Sequence, residues 1–177
     1  FLHRSWGPIE PFDESMPEIL KNNGVYTHLV TDHDHYFEDG GATYHNRYSS
    51  FEFFRGQEGD KWKALLKPLD MPKLRETGRP LEHYRVNFTD RMFQKTEKEM
   101  SAYRTFTAGA EFIDENHDAD NWFLQIESFD PHEPFYVMEE YIKMYAEQLG
   151  IRDDYTGDFY DWPVYGRVTD EQEAVAH

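Results

Sequence analysis

The spacing of apolar and polar residues along the 177-residue chain predicts alternating helices and strands. Residues 15–22 open with Ser15 and Glu18 in capping-box spacing, place Pro17 in the first turn and run through Ile19 and Leu20 to Asn22-Asn23-Gly24. A short helix is expected there. Residues 25–31 are β-branched or aromatic at most positions, which predicts a strand behind Gly24. Between residues 90 and 112, Met92, Phe93, Met100, Tyr103 and Phe106 recur at helical spacings and predict one long helix with that face buried. Residues 121–128 form a compact apolar run that ends in Asp130-Pro131 and read as a buried strand. Past Pro134, Val137, Tyr141, Met144, Tyr145 and Leu149 share a helical face, and Gly150 is placed to end that helix. A last helix is expected to begin at Thr169. Residues 1–12, with Gly7, Pro8 and Pro11, read as an extended lead-in, and residues 32–80 as loop with room for one short strand. Helices alternating with strands argue for a parallel α/β sheet, whose sites lie at the carboxyl ends of its strands.

Composition narrows the function. The chain carries 18 Lys and Arg against 35 Asp and Glu, a net charge of −17, which repels phosphate backbones and argues against nucleic-acid binding. Mean hydropathy is −0.87, yet 17% of residues are aromatic, so there is apolar area to bury. The size suits one domain. Without cysteine there is no disulfide, thiolate metal site or cysteine nucleophile. No run approaches the roughly 18 apolar residues of a membrane helix. The chain opens at Phe1 rather than methionine, amid residues that read as structured, so the polypeptide is expected to extend upstream.

Two clusters follow the predicted strands. In Thr31-Asp32-His33-Asp34-His35-Tyr36, extended geometry would put His33 and His35 on one side and Asp32 and Asp34 on the other. Two imidazoles, each oriented by a carboxylate, would then converge on an anion or metal; the alternative is a solvated polar loop. In Ser128-Phe129-Asp130-Pro131-His132-Glu133-Pro134, two prolines stiffen the backbone around His132, as suits a general acid or anion-binding imidazole, or merely a turn with its histidine in water. A third stretch, Arg55-Gly56-Gln57-Glu58-Gly59-Asp60, offers glycines for turns or for close approach to a substrate.

These stretches, with Phe1-Leu2-His3-Arg4-Ser5-Trp6-Gly7-Pro8, Met16-Pro17-Glu18-Ile19-Leu20-Lys21, Gly40-Gly41, Tyr44-His45 and Phe51-Glu52, occur in one order nearly end to end. In that order the chain resembles the part of the sulfatase family, within the alkaline phosphatase superfamily, that follows the nucleophile motif. The resemblance implies part of a mixed, mostly parallel sheet flanked by helices. It implies hydrolysis of a sulfate ester on a small molecule or glycan, with one divalent cation, usually calcium, and a formylglycine made from a Cys/Ser-x-Pro-x-Arg motif. No such motif occurs in the 177 residues, nor do the paired acidic cation ligands, so the chain is expected to be a partial catalytic domain, inactive alone and prone to self-association.

Carried over by position, His132 matches the family's sulfate- or leaving-group-contacting histidine. The Lys-x-His motif falls within residues 32–35, where ungapped counting from Gly24 puts Asp32 in the lysine place and Asp34 in the histidine place. His33 or His35 fills the role with a one-residue shift. Candidate catalytic residues are thus Asp32, His33, His35 and His132, with His35, Arg55 and His132 as candidate substrate contacts. Metal binding by His33 and His35 themselves is disfavoured, because the family holds its cation with carboxylates and hard cations prefer oxygen. The lysine's absence keeps open a phosphodiester or phosphonate monoester hydrolase of the same superfamily. A non-catalytic glycan-binding module is a further alternative, which net charge −17 opposes for polyanionic glycans.

Overall fold

The computed structural model describes residues 7–71 and 81–150. They group into two compact units, the first containing 7–57 and 98–129 and the second 58–71, 81–97 and 130–150.

The first unit is built on three parallel strands, β1 (Tyr26–Thr31), β2 (Ser50–Phe53) and β3 (Trp122–Glu127), in the order β2-β1-β3. The all-parallel pairing is the α/β arrangement that the alternating pattern predicts. Central β1 is the most buried, with Thr27, Val30 and Thr31 at 0% exposure and Leu29 at 1%. Leu29, Tyr36 and Tyr48 form the core, joined by Ala42, Tyr44 and Phe123. Strand β3 is half-buried along its length, not fully buried as its apolar run suggests.

Helix α1 (Met16–Asn22) starts after Ser15, which has extended backbone but gives no side-chain cap. The capping box is therefore not formed; Ser15 Oγ is buried without a hydrogen-bond partner. Helix α3 (Ser101–Asn116) packs on β1 and β3 through Ser101, Thr105, Ala108 and Gly109, at i, i+4, i+7 and i+8. The aromatic face expected to be buried is instead exposed at Tyr103 and Phe106. Close approach explains the inversion: a Cβ on Gly109 would lie 2.7 Å from Ile126 Cγ1 and closer still to Cδ1, so only a small-residue stripe lets the helix seat.

In the second unit the single long helix expected over 90–112 is replaced by α2 (Leu81–Arg91) ahead of a break. Phe93 and Gln94 N–H donate to Asp90 and Arg91 carbonyls, winding the chain tighter and ending the helix. Buried Arg91 donates from Nη1 to Gln94 Oε1 at 2.7 Å, and its guanidinium lies 4.6 Å over the Tyr136 ring. The inner face of α2 is polar: buried Asn87 Nδ2 donates to Glu58 O at 2.6 Å, and Asp90 Oδ1 accepts from Lys63 N–H at 2.8 Å. Helix α4 (Glu139–Leu149) ends at Gly150, which takes φ 64° as a terminating glycine should. The helix expected from Thr169 lies outside the described residues. No described helix is long and apolar enough to cross a membrane.

Candidate functional site

Parallel pairing puts the carboxyl ends of β1, β2 and β3 at one end of the sheet, with Thr31 in register with Phe53 on one side and Glu127 on the other. The segment after each strand therefore starts from the same edge. Asp32, His33 and His35 follow β1, and Arg55 follows β2.

Extended backbone lasts only to His33; Asp34–Phe37 then close a 3-10 turn. The strict alternation expected for 32–35 fails, but the turn still brings the His33 and His35 rings to 5.2 Å, edge to face. Each ring meets a glutamate. His33 Nδ1 stands 3.3 Å from Glu127 Oε1, and His35 Nδ1 stands 2.9 Å from Glu38 Oε2. A carboxylate only accepts, so each imidazole carries its proton at Nδ1 and presents Nε2 on the opposite side. His33 Nε2 is buried without a hydrogen-bond partner, and the ring is packed 4.6 Å from both Tyr36 and Phe129.

Glu127, the last residue of β3, also accepts from Tyr36 Oη at 2.7 and 2.8 Å. Burial first, and then the Glu127 charge, raise the Tyr36 pKa well above that of an ordinary phenol. Tyr36 therefore stays a donor and pins the carboxylate that pins His33. The sequence reading missed both Glu127 and Glu38. A carboxylate ending an apolar strand run was the available signal for Glu127.

Asp32 is buried at 1% exposure, and its Oδ1 accepts from Phe129 N–H at 2.7 Å. It ties the end of β1 to the end of β3. Arg55 is half-buried, with its guanidinium carbon 5.7 Å over the Phe53 ring. The following Gly56 takes φ 104°, which explains a glycine at that turn.

His132 belongs to the second unit. Its Nδ1 lies 2.9 Å from Glu133 O and 3.1 Å from Glu133 Oε2, in a turn where both Asp130-Pro131 and Glu133-Pro134 are cis. Glu133 is itself buried. Again Nδ1 is the protonated nitrogen and Nε2 points away from the carboxylate. His33, His35 and His132 thus share one design, an imidazole held at Nδ1 by an acidic residue. Such a ring can donate from Nε2 to an anion when charged, or protonate a leaving group.

The sulfatase family model matches residues 3–161. No curated protein and no solved structure matches the chain.

Proposed function

Because the chain belongs to the sulfatase family, we propose that it carries the substrate-facing imidazoles of a sulfuric ester hydrolase acting on a sulfated small molecule or glycan. The observation that carries this reading is His33, held at Nδ1 by Glu127, with its buried Nε2 not hydrogen-bonded.

In this account His33 donates Nε2–H to a sulfuryl oxygen or to the ester oxygen as it departs, where negative charge develops, and His132, in the second unit, is read separately as an anion-contacting imidazole. His35, backed by Glu38, and the Arg55 guanidinium add positive charge toward the sulfate. Asp32 acts through Phe129, as a positioning residue that fixes the two strand ends. The Cys/Ser-x-Pro-x-Arg motif is not among the 177 residues, so the attacking formylglycine comes from outside them. The chain alone then binds the anion without turning it over.

The family generally employs a divalent cation. Among the described residues, Asp34, His35 and Glu38 bring possible ligand atoms within 4.8 Å of one another. Calcium takes six to eight oxygens, whereas this surface set offers two carboxylates and an imidazole. Asp32 and Glu127 are engaged by Phe129 N–H, Tyr36 and His33. The described residues do not fit a calcium cage, and the chemistry proposed for them is that of imidazole and guanidinium groups.

The test is turnover by the polypeptide that includes the nucleophile, with 4-nitrophenyl sulfate, bis(4-nitrophenyl) phosphate and phenyl phosphonate esters as substrates. Sulfate ester hydrolysis is expected to lead. Faster phosphoryl or phosphonyl turnover would assign the superfamily alternative, which Asp32 in the lysine place favours. Specific binding of a sulfated glycan with no turnover of any ester would assign the non-catalytic module.

A further inference from the structure

Where β1 and β2 begin, three side chains stand in the order hydroxyl, imidazole, carboxylate. Ser50, the first residue of β2, has its Oγ 2.7 Å from His28 Nδ1 on β1, and His28 Nε2 stands 3.5 Å from Glu52 Oε1. The register produces this order. His28 pairs with Ser50, and Glu52, two residues further on, returns to the same face of the sheet. The His28 ring is 6% exposed and stacked on Phe112 at 4.8 Å, which holds it in one orientation. A carboxylate only accepts, so the Nε2 proton faces Glu52 and Nδ1 is left to accept from the Ser50 hydroxyl. Tyr26 Oη donates to Ser50 Oγ at 3.0 Å, so the serine's own proton is directed to His28.

A hydroxyl within hydrogen-bond reach of a base, with that base faced by a carboxylate, is the arrangement that activates a serine. The 3.5 Å separation is an ion-pair distance, and such contacts tighten once a substrate is bound. Tyr26, His28, Ser50 and Glu52 all border one cavity of about 440 Å³, from which a substrate reaches the hydroxyl. Phe112 and Trp122 give the cavity apolar ring faces, while Glu111, Glu115 and Asp120 make it acidic and disfavour anionic substrates. None of these residues belongs to the carboxyl-end site, and the argument is independent of sulfate chemistry. We propose that Ser50 is the nucleophile of a second hydrolytic site, with His28 as general base, Glu52 as its positioning residue and an uncharged or cationic carboxylic ester as substrate.

In the first half-reaction Ser50 Oγ bonds to the ester carbonyl carbon while its proton passes to His28 Nδ1. Glu52 stabilises the imidazolium, and Tyr26 Oη–H is placed to donate to the carbonyl oxygen as it becomes negative. The bond from carbon to the alcohol oxygen then breaks, and the departing alkoxide takes the proton from His28. In the second half, water gives a proton to the same Nδ1 and attacks the acyl-serine. The carboxylic acid leaves and Ser50 Oγ recovers its proton.

The test is labelling of the 177-residue chain with diisopropyl fluorophosphate, an uncharged reagent that loses fluoride to an activated serine. Peptide mass mapping should find the diisopropylphosphoryl group on Ser50 and not on neighbouring Ser49, at a rate that rises with pH through one ionisation. Glu52→Gln, at an exposed position, should slow the labelling at least roughly tenfold without moving the urea unfolding midpoint. Hydrolysis of 4-nitrophenyl acetate should be lost in Ser50→Ala. Ser50 left unlabelled in the folded chain, labelling unchanged by Glu52→Gln, or ester hydrolysis unchanged by Ser50→Ala would each overturn the proposal.

Discussion

The Tyr36 hydroxyl reaches both carboxylate oxygens of Glu127, at 2.7 Å to Oε2 and 2.8 Å to Oε1. One residue at the end of β3 is thereby shared between a phenol in the core and an imidazole at the candidate site. Removing the phenol should strip a half-buried carboxylate of its best donor. Tyr36→Phe is expected to cost about 1–3 kcal/mol in urea unfolding. A cost below about 0.5 kcal/mol, the ordinary range for a surface change, would mean that water satisfies Glu127 equally well.

Glu127→Gln should separate positioning from folding. The amide still accepts from Tyr36, but it gives His33 a neutral partner and weakens the preference for a proton at Nδ1. In the polypeptide that includes the nucleophile, kcat/KM for a sulfate ester is expected to fall roughly 10-fold to 100-fold while urea stability changes little. A purely structural Glu127 would lower stability and leave kcat/KM of the folded enzyme in place.

Gly109 against Ile126 sets how closely α3 seats on the sheet. Gly109→Ala gains up to about 1 kcal/mol of helix propensity but overpacks the contact by about 1–3 kcal/mol. Net destabilisation is expected in thermal or urea unfolding. Ile126→Val, which removes Cδ1, should recover part of it in a double-mutant cycle. Additive single effects would show that the helix shifts freely.

Acid should weaken the fold through His45. Burial holds its pKa below the ordinary 6.5, with the ring 4.3 Å from Phe37 and 4.9 Å from Phe51. The unfolded chain binds the proton first, so the stability tied to neutral His45 is present above about pH 6.5 and falls as pH drops through and below that value. His45→Phe should flatten that part of the stability–pH curve. At the alkaline end Tyr48, pushed up to about 12 by burial and then by the Glu127 charge, acts in the opposite sense. Its contribution is intact below pH 10 and is lost as pH rises from 10 to about 12. A stability curve unchanged by His45→Phe would contradict the first assignment.

The strands, α1 and α4 were legible because β-branched runs, Pro17 and Gly150 act locally, and the carboxyl-end location of Asp32, His33 and His35 followed from the parallel sheet. Helix α2 was not legible: its buried face, Tyr84, Asn87, Asp90 and Arg91, keeps helical spacing but is mostly polar, so a search for apolar periodicity passes it over. On α3 the aromatic stripe misled, because close packing against Ile126 selects small residues. The carboxylates behind the histidines were partly hidden for a different reason. Glu38 is three residues from His35, on the next turn, but Glu127 is 94 residues from His33 in sequence, and only the strand register brings them together.

The most direct test follows the nine histidines by long-range ¹H–¹⁵N spectra while inorganic sulfate is titrated into the chain at constant ionic strength. The Nε2 signals of His33 and His132 should move saturably, with Nδ1 remaining protonated, while exposed His117 stays still. In the polypeptide that includes the nucleophile, His132→Ala should lower kcat/KM roughly 10²- to 10⁴-fold. Unmoved His33 and His132 signals, or a uniform drift of all nine, would contradict the assignment of these imidazoles to the sulfate.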